Sequence, residues 1–328
     1  MGKKAEFIKG LLTNDLRVAE FALNNICTAK CQFCSIWSQK EKFTVPTLKA
    51  KEAIHKLKSL GVRLLTLTGG EPLLHPDFKE IASYASSENI FTTTITADYR
   101  ILNEKRIQVL AESQVDIMGI SIDHHTEIGI MHSRKIPKAI EGIRKALARL
   151  KEIGLETTAC VLISHFNYQE LAELFSKCQE LGFDTISVNY PVFSPSPTYT
   201  LGGEAINISR QDLISTLYQV IELKKYYPIL NPTASLKNII SFLEGKKTYF
   251  TWLGGYRALF IDWKFDVYPC MCYEQKLGDI FSMQKRDLKK GGCNCCNMSW
   301  YRDFSIYFQG FKSLIPILNE IKRIASYK

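Results

Sequence analysis

Three cysteines near the amino end of the chain have the residue type and the spacing of metal ligands. Cys27, Cys31 and Cys34 form a C-x3-C-x2-C pattern. Thiolates bind zinc and iron–sulfur clusters, and both kinds of site normally take four protein ligands. No nearby Cys or His supplies a fourth. The pattern is therefore part of a zinc site, a coincidence, or an iron–sulfur site that leaves one metal position free for another molecule.

A second short motif follows a run of apolar and β-branched residues. Gly69-Gly70-Glu71-Pro72 comes directly after the strand-like segment 64–68. Two glycines let a ligand approach the backbone, and exposed amides with a carboxylate can hold an ammonium group. Because the carboxyl ends of parallel strands meet at one edge of a sheet, this loop is expected to face the cysteine loop.

A second group of cysteines lies in the last quarter of the chain. Cys270, Cys272, Cys293, Cys295 and Cys296 are enough for a complete four-thiolate site, either an iron–sulfur cluster or zinc. Tight clusters in a long chain favour metal binding in a reducing compartment over a disulfide framework. The other two of the ten cysteines, at positions 160 and 178, are expected in the core.

The elements that must position these motifs alternate between strands and helices. Strands are predicted at 18–24, 64–68, 91–96, 116–122, 156–163 and 184–190, and a long helix is predicted over 136–153. Six such units imply a parallel sheet with helical crossovers. Since eight units close a TIM barrel, six predict an α/β fold with an open, partial (β/α)6 barrel.

The rest of the chain breaks this rhythm. We predict an N-terminal helix (1–16), the barrel (17–200), a helical connection (201–248), a small Cys-rich α+β extension (249–310) and a C-terminal helix (311–328). In the last of these, Leu314, Leu318 and Ile321 recur at helical spacing. This apolar face is expected to pack on the protein's own core rather than on a membrane surface.

Composition is that of an ordinary globular protein, with 46% hydrophobic and 23% charged residues. The net charge of +9 is scattered along the chain, and no nucleic-acid-binding motif accompanies it, so nucleic acid is not an expected partner. No apolar run is long enough for a transmembrane helix, and the first residues lack the features of a secretory signal. A cytoplasmic location is the resulting expectation.

The two amino-terminal motifs together resemble the radical S-adenosylmethionine (SAM) superfamily over roughly residues 17–190, since the GGEP sequence follows the C-x3-C-x2-C pattern by about 35 residues. The resemblance implies that the three cysteines bind a [4Fe–4S] cluster whose open iron binds the amino and carboxylate groups of SAM. It further implies SAM-binding roles for five residues: Phe33 near the adenine, Gly69, Gly70 and Glu71 at the methionine ammonium, and Pro72 in shaping the turn.

Other positions match the superfamily more loosely. The resemblance implies that Ser121 and Asp123 contact the ribose or carboxylate, that Arg134 pairs with the carboxylate, and that Val161 and Leu162 border the adenine. Where many members have Asn-Gly after the third strand, this chain has ITADYR, so Thr96 and Asp98 are further candidates. Ordinary polarity at strand ends is the alternative explanation for each.

The carboxyl-terminal cysteines are similar to the SPASM/twitch extension of radical SAM enzymes. Cys270 and the Gly278-Asp279-Ile280 sequence fit that pattern, but a full extension has seven cysteines and this one has five. The resemblance implies one auxiliary [4Fe–4S] cluster, bound by Cys270, Cys272, Cys293 and Cys296, with Cys295 spare or exchangeable.

The activity that the resemblance implies is reductive cleavage of SAM to a 5′-deoxyadenosyl radical, which abstracts hydrogen from a substrate. A peptide or protein substrate is favoured by the type of extension, and a sugar, nucleoside or lipid is the alternative. The electron donor would resemble flavodoxin or ferredoxin. A non-catalytic iron–sulfur protein would explain the cysteines but not the GGEP loop.

Overall fold

The computed structural model describes residues 2–12, 15–191, 208–246, 248, 251–290, 298–308 and 314–327. Within these ranges one mixed sheet has nine strands. They are β1 (Arg17–Ala22), β2 (Val62–Thr68), β3 (Phe91–Thr96), β4 (Ile117–Ser121), β5 (Glu156–Leu162), β6 (Thr185–Asn189), β7 (Ala258–Ile261), β8 (Asp266–Tyr268) and β9 (Gly278–Asp279).

The order of the strands confirms the predicted fold class. The sheet runs β6-β5-β4-β3-β2-β1-β7-β8-β9, and β1 to β6 are parallel to their neighbours. β7 lies parallel beside β1, whereas β8 and β9 are antiparallel additions. The sheet is an open, partial barrel, and the strands of the carboxyl-terminal segment extend it directly. The predicted segment boundaries at 200, 249 and 310 fall outside the described residues.

Eleven helices accompany the sheet in the described ranges. They are α1 (Lys3–Leu12), α2 (Thr47–Ser59), α3 (Phe78–Ser87), α4 (Glu104–Ser113), α5 (Glu127–Arg134), α6 (Ala139–Glu152), α7 (Leu171–Leu181), α8 (Arg210–Leu223), α9 (Thr233–Leu243), α10 (Ser299–Tyr307) and α11 (Leu314–Ala325). None of the helices described is long and apolar enough to cross a membrane.

The helix predicted over 136–153 begins three residues later. Pro137 precedes Lys138, whose positive φ of 52° is incompatible with a helix, so α6 begins at Ala139. The sequence pattern also missed α5, in which the hydroxyl of Thr126 caps the first turn by accepting a hydrogen bond from the Gly129 amide (3.2 Å). This helix matters because it carries Arg134.

The two faces of the sheet differ in polarity. On one face, apolar side chains such as Phe21 and Leu67 are buried in the main core with the crossover helices. On the other face, hydroxyls from neighbouring strands pair, Thr66 with Thr93 (2.9 Å) and Thr158 with Thr185 (2.7 Å). The face that lines the interior of the open barrel therefore carries hydroxyls along β2, β3, β5 and β6, whereas beside β1 and β7 it carries an apolar cluster that includes Val18 and Phe260.

A buried carboxyl joins β1 to α10. The hydroxyl of Tyr301 donates a hydrogen bond to Glu20 Oε2 (2.7 Å), and both side chains are buried. Burial raises the pKa of Glu20 from 4.5 to about 7. The folded protein therefore keeps a proton between these two pH values that the unfolded chain releases.

This difference predicts that Glu20 makes the protein less stable as the pH rises. From pH 4.5 to 7 its contribution to the free energy of unfolding should fall by about 3 kcal/mol. Glu20→Gln keeps an acceptor for Tyr301 but cannot ionise, so it should stabilise the protein above pH 7 and change little at pH 4.5. Urea unfolding of both proteins across this range measures the effect. A stability difference that does not vary with pH would contradict it.

The C-terminal helix α11 packs with the opposite face to the one predicted. Leu318 and Ile321 are 54% and 57% exposed, and the neighbouring Ile315 is 71% exposed. Glu320, in contrast, is 9% exposed and pairs with the buried Lys224 (3.0 Å). The prediction that the apolar face packs on the core is wrong, because a buried ion pair fixes the polar face inward.

Candidate functional site

The cysteine loop and the GGEP turn are joined through their backbones. After β1 and β2 end side by side, the Gly70 amide donates to the carbonyl of Asn24 (2.8 Å) and the Glu71 amide donates to the carbonyl of Ile26 (2.6 Å). The residue immediately after Ile26 is Cys27. The turn therefore fixes the path of the chain where it enters the cysteine loop.

The two glycines are required by this contact. A Cβ on Gly69 would lie 2.4 Å from the carbonyl oxygen of Asn24, and one on Gly70 would lie 2.3 Å from that of Ile26. Gly69 also has a φ of +136°. The sequence explained the glycines by the approach of a ligand, whereas the structure shows the close approach of two backbones. Contact of Gly69, Gly70 and Pro72 with SAM remains a prediction.

Two buried asparagine side chains support the same junction, and the sequence analysis did not identify them. The Asn24 side chain accepts from the Ile26 amide and donates to the Glu71 carbonyl, both at 2.9 Å. Asn25 likewise accepts from the Phe43 amide (2.7 Å). A pair of asparagines after an apolar strand, two residues before the first cysteine, was the available signal.

The thiols lie in a protected environment. Cys31 is buried and its two partners are half-buried. Burial raises the pKa of Cys27 and of Cys34 to about 12, and the Glu71 carboxylate adds to the effect on Cys27. A bound cation is therefore needed to hold these thiols as thiolates at neutral pH. Three soft donors on one loop, without a fourth among the described neighbours, fit a cluster with one open iron.

Arg134 and Asp123 form a buried ion pair beside the thiols. Arg134 Nε lies 2.6 Å from Asp123 Oδ2, and its Nη1 donates to Cys31 Sγ (3.6 Å). The other oxygen of Asp123 accepts from the Leu162 amide (2.9 Å). The guanidinium also lies over the ring of Phe33, 5.0 Å from its centroid. The structure thus brings together five residues that the sequence selected from two loops, the end of a strand and a helix.

Removing the charge of Asp123 should destabilise the fold. In Asp123→Asn the guanidinium of Arg134 loses its buried partner, which typically costs about 3 kcal/mol or more. Asp184→Asn is the control, since it removes the charge of an exposed carboxylate that accepts hydrogen bonds from the Thr157 amide and hydroxyl. Urea unfolding of both variants measures the difference. Equal losses in the two variants would show that the ion pair contributes nothing of its own.

Glu71 is held by the protein itself. Its carboxylate is 0% exposed and accepts from the Thr96 hydroxyl (2.7 Å) and the Ala97 amide (3.3 Å). Burial raises its pKa to about 8. These bonds tie the GGEP turn to the end of β3, and contact of this carboxylate with the SAM ammonium remains a prediction.

Asp98 secures the cysteine loop from the side of β3. It accepts from the hydroxyl of Thr28, the residue after Cys27 (2.8 Å), and from Arg100 Nε (2.8 Å). Although burial raises its pKa, hydrogen bonds from Arg100 and Thr28 lower it below its usual value, so the side chain stays ionised. The structure gives Thr96 and Asp98 positioning contacts, and their contact with SAM stays a prediction.

The remaining predicted SAM contacts lie at the ends of β4 and β5. Ser121 is the last residue of β4 and is 7% exposed. Val161 is fully buried in the core with the crossover helices, so its side chain faces away from the barrel interior. Leu162 is half-buried, but its amide and carbonyl bond to Asp123 and to Asn167 Nδ2 (2.7 Å). Adenine binding by Val161 or Leu162 therefore remains a prediction.

A histidine pair beside this site is hydrogen-bonded in a way that disfavours metal binding. His124 Nε2 and His125 Nδ1 lie 3.2 and 3.4 Å from Glu170 Oε2. However, His124 Nδ1 accepts from the Thr126 amide (3.1 Å), so in the neutral ring the proton is on Nε2. That nitrogen, 3.2 Å from the Glu170 carboxylate, then carries the proton and has no lone pair for a metal.

The second cysteine group is only partly described. Cys270 is buried in a cluster with Trp252 and Tyr301, and Cys272 is half-buried next to it. Gly278 and Asp279 form β9, which pairs with β8 just before Cys270. Cys293, Cys295 and Cys296 lie outside the described residues, so the auxiliary cluster remains a prediction.

The family comparison matches the part of the chain that carries this site. Residues 22–178 match the model of the Radical SAM superfamily. This segment belongs to the radical SAM superfamily. The matched segment begins at the end of β1, ends within α7, and includes all three cysteines of the loop, the GGEP turn and the Asp123–Arg134 pair.

Two curated relatives of this radical SAM protein are enzymes by name. It is 27% identical over 65% of its length to an AdoMet-dependent heme synthase of Methanosarcina barkeri (strain Fusaro / DSM 804), covering 60% of that protein. It is 25% identical over 51% of its length to a PqqA peptide cyclase of Gluconobacter oxydans (strain 621H), covering 47% of that protein. The chain thus spans about half of the length of these relatives.

A solved structure matches nearly the whole fold. The structure of native anSMEcpe with bound AdoMet and Cp18Cys peptide aligns with a TM-score of 0.63, at 15% identity, over 95% of this radical SAM protein and 96% of that chain. Because the sequence identity is low, this similarity establishes a shared fold, which includes the strands that follow β6.

Proposed function

We propose that this radical SAM protein is an enzyme that reductively cleaves SAM and abstracts a hydrogen atom from a peptide or protein. The main support for this proposal is the junction between the GGEP turn and the loop of Cys27, Cys31 and Cys34. Backbone hydrogen bonds and two obligatory glycines hold that loop beside the Asp123–Arg134 pair. A metal site for structure alone would not need a facing loop or a buried arginine.

The residues of the chain have separate parts in this activity. When bound, a [4Fe–4S] cluster supplies the electron that cleaves SAM into methionine and a 5′-deoxyadenosyl radical. Cys27, Cys31 and Cys34 would hold it. Arg134, positioned by Asp123, places a positive charge beside Cys31 and is available to the SAM carboxylate.

The experiment that tests the proposal is formation of 5′-deoxyadenosine. The protein is reconstituted anaerobically with iron and sulfide and incubated with dithionite and SAM, and nucleosides are quantified by chromatography. The proposal expects 5′-deoxyadenosine and methionine in equal amounts. A protein with a full complement of iron that forms neither product would instead support an electron carrier or a scaffold for iron–sulfur clusters.

A peptide or protein substrate is supported by the relatives and by the polarity of the barrel. One curated relative is named as a peptide cyclase, and the solved neighbour holds a peptide. Along β2 and β3 the interior face carries the half-buried hydroxyls of Thr66 and Thr93, which offer hydrogen bonds to a polar substrate. These hydroxyls disfavour a lipid. Since another relative is a heme synthase, a polar small molecule is the second candidate.

Isotope transfer distinguishes the two substrate classes. Candidate peptides and small molecules carrying deuterium are each incubated with the reconstituted enzyme and SAM. Deuterium in 5′-deoxyadenosine identifies the substrate, because the radical takes its hydrogen atom directly from that molecule. Transfer from small molecules and from none of the peptides would overturn the peptide assignment.

A flavodoxin- or ferredoxin-like protein would replace dithionite as the electron donor in the cell.

We also propose one auxiliary [4Fe–4S] cluster at the second cysteine group, with Cys270, Cys272, Cys293 and Cys296 as ligands and Cys295 as a substitute. Support comes from the positions of Cys270 and Cys272, which pack with Trp252 and Tyr301 in one cluster. The double variant Cys270→Ala/Cys272→Ala should lower the iron content from about eight to about four per chain. Zinc in place of the lost iron, by elemental analysis, would point to a zinc site.

A further inference from the structure

The C-terminal helix α11 presents a continuous apolar stripe to solvent. Ile315, Leu318 and Ile321 are each more than half exposed and follow one another at helical spacing. They are three of the eight large hydrophobic residues that are strongly exposed in the described part of the chain. An amphipathic helix normally buries such a stripe.

The orientation of the helix is fixed by polar contacts on its opposite face. Glu320 pairs with Lys224 and accepts from the Thr233 amide (3.0 Å) and hydroxyl (2.9 Å). Arg323 donates to the carbonyls of Lys224 (3.1 Å) and Tyr227 (3.2 Å). Rotating the helix to bury its apolar stripe would break this network and expose buried charges. The outward stripe is therefore a built feature of the fold.

The one strongly exposed charged side chain in the described part of α11 is positive. The one carboxylate of α11, Glu320, points inward, and the exposed Lys322 lies beside the stripe. The whole chain carries a net charge of +9.

We propose that this face, formed by Ile315, Leu318, Ile321 and Lys322, docks the enzyme on the surface of an anionic phospholipid membrane. Apolar side chains enter the boundary between headgroups and acyl chains, and the lysine contacts acidic headgroups. A second copy of the chain fits less well, because two faces of the same positive charge would meet. The helix lies on the membrane and does not cross it, in keeping with its twelve residues.

Vesicle binding tests the proposal on the full, reconstituted chain. Vesicles of phosphatidylcholine and phosphatidylglycerol in equal parts are sedimented with the protein, alongside vesicles of phosphatidylcholine alone. We expect binding to the anionic vesicles, weakened by salt, and a loss of about tenfold or more in Leu318→Glu and in Ile321→Glu. Because both side chains are exposed, the variants should keep the wild-type circular dichroism and iron content.

A matched control uses the same substitution at a different exposed leucine. Leu48→Glu, at a residue of α2 that is 73% exposed, should bind the anionic vesicles as the wild type does. Absence of wild-type binding would overturn the proposal, as would binding that Leu318→Glu leaves intact. If sedimentation velocity instead shows a dimer that Leu318→Glu dissociates, with no vesicle binding, a second copy covers this face.

Discussion

Replacing Cys31 by alanine should abolish the formation of 5′-deoxyadenosine. Cys31 is the buried member of the three thiols, and its sulfur receives the hydrogen bond from Arg134. Without it, two thiols remain on the loop, and two ligands do not hold a four-iron cluster stably. The expected result is no product above background and a loss of about four irons per chain, measured by chromatography and iron analysis.

Cys178→Ala is the matched control for this experiment. Cys178 is fully buried in the core, on α7, and lies outside the cysteine loop. The control should keep both its iron and its product, with a small loss of stability from the removed sulfur. Product formed by Cys31→Ala at the wild-type rate would sink the catalytic assignment of the loop.

The second large effect is expected from Gly70→Ala. The new methyl group would lie 2.3 Å from the carbonyl oxygen of Ile26, which is backbone and cannot rotate away. The GGEP turn and the cysteine loop must then separate, and the hydrogen bond from Glu71 to Ile26 is lost. We expect a loss of about 3 kcal/mol in the free energy of unfolding and little bound cluster, because the loop loses its support.

Gly154→Ala separates this clash from the general cost of a new methyl group. Gly154 has a positive φ of 71°, but a Cβ there would meet nothing within 4 Å. It should cost only about 1 kcal/mol and keep the iron. Urea unfolding and iron analysis of both variants measure the contrast. Normal iron in Gly70→Ala would show that the loops are not coupled as the structure indicates.

The sheet could be predicted closely from the sequence because its strands are short, apolar and separated by amphipathic helices. All six predicted strands overlap β1 to β6 within a few residues. The break before α6 could have been read from Pro137, and α5 from Thr126 at its amino end. The position of β7 beside β1 depends on contacts between distant parts of the chain, which local patterns do not contain.

The sequence predicted which residues form the site, but it did not predict which of them contact one another. The resemblance selected Asp123, Arg134 and Phe33 separately, and only the structure shows them as one arrangement with Cys31. It named Glu71 as a ligand of SAM, whereas in the structure the Glu71 carboxylate accepts hydrogen bonds from the Thr96 hydroxyl and the Ala97 amide. Such contacts depend on which loops meet at the sheet edge.

The face of α11 shows how a local pattern misleads. Apolar residues at helical spacing indicate a buried face in most helices. Here the burial of Glu320 and Lys224 together outweighs that preference, and the pairing of residues 96 positions apart is invisible to local spacing. Only the structure could show that Leu318 and Ile321 face outward.

Electron paramagnetic resonance on the Cys270→Ala/Cys272→Ala variant tests the central claim most directly, since this variant should retain only the cluster of the loop at residues 27–34. The spectrum of the dithionite-reduced protein is recorded with and without SAM. If one iron is open to SAM, adding SAM should shift the signal of the reduced cluster, because a new ligand binds to that iron. A four-iron signal that SAM leaves unchanged would contradict a loop built to leave one metal position open.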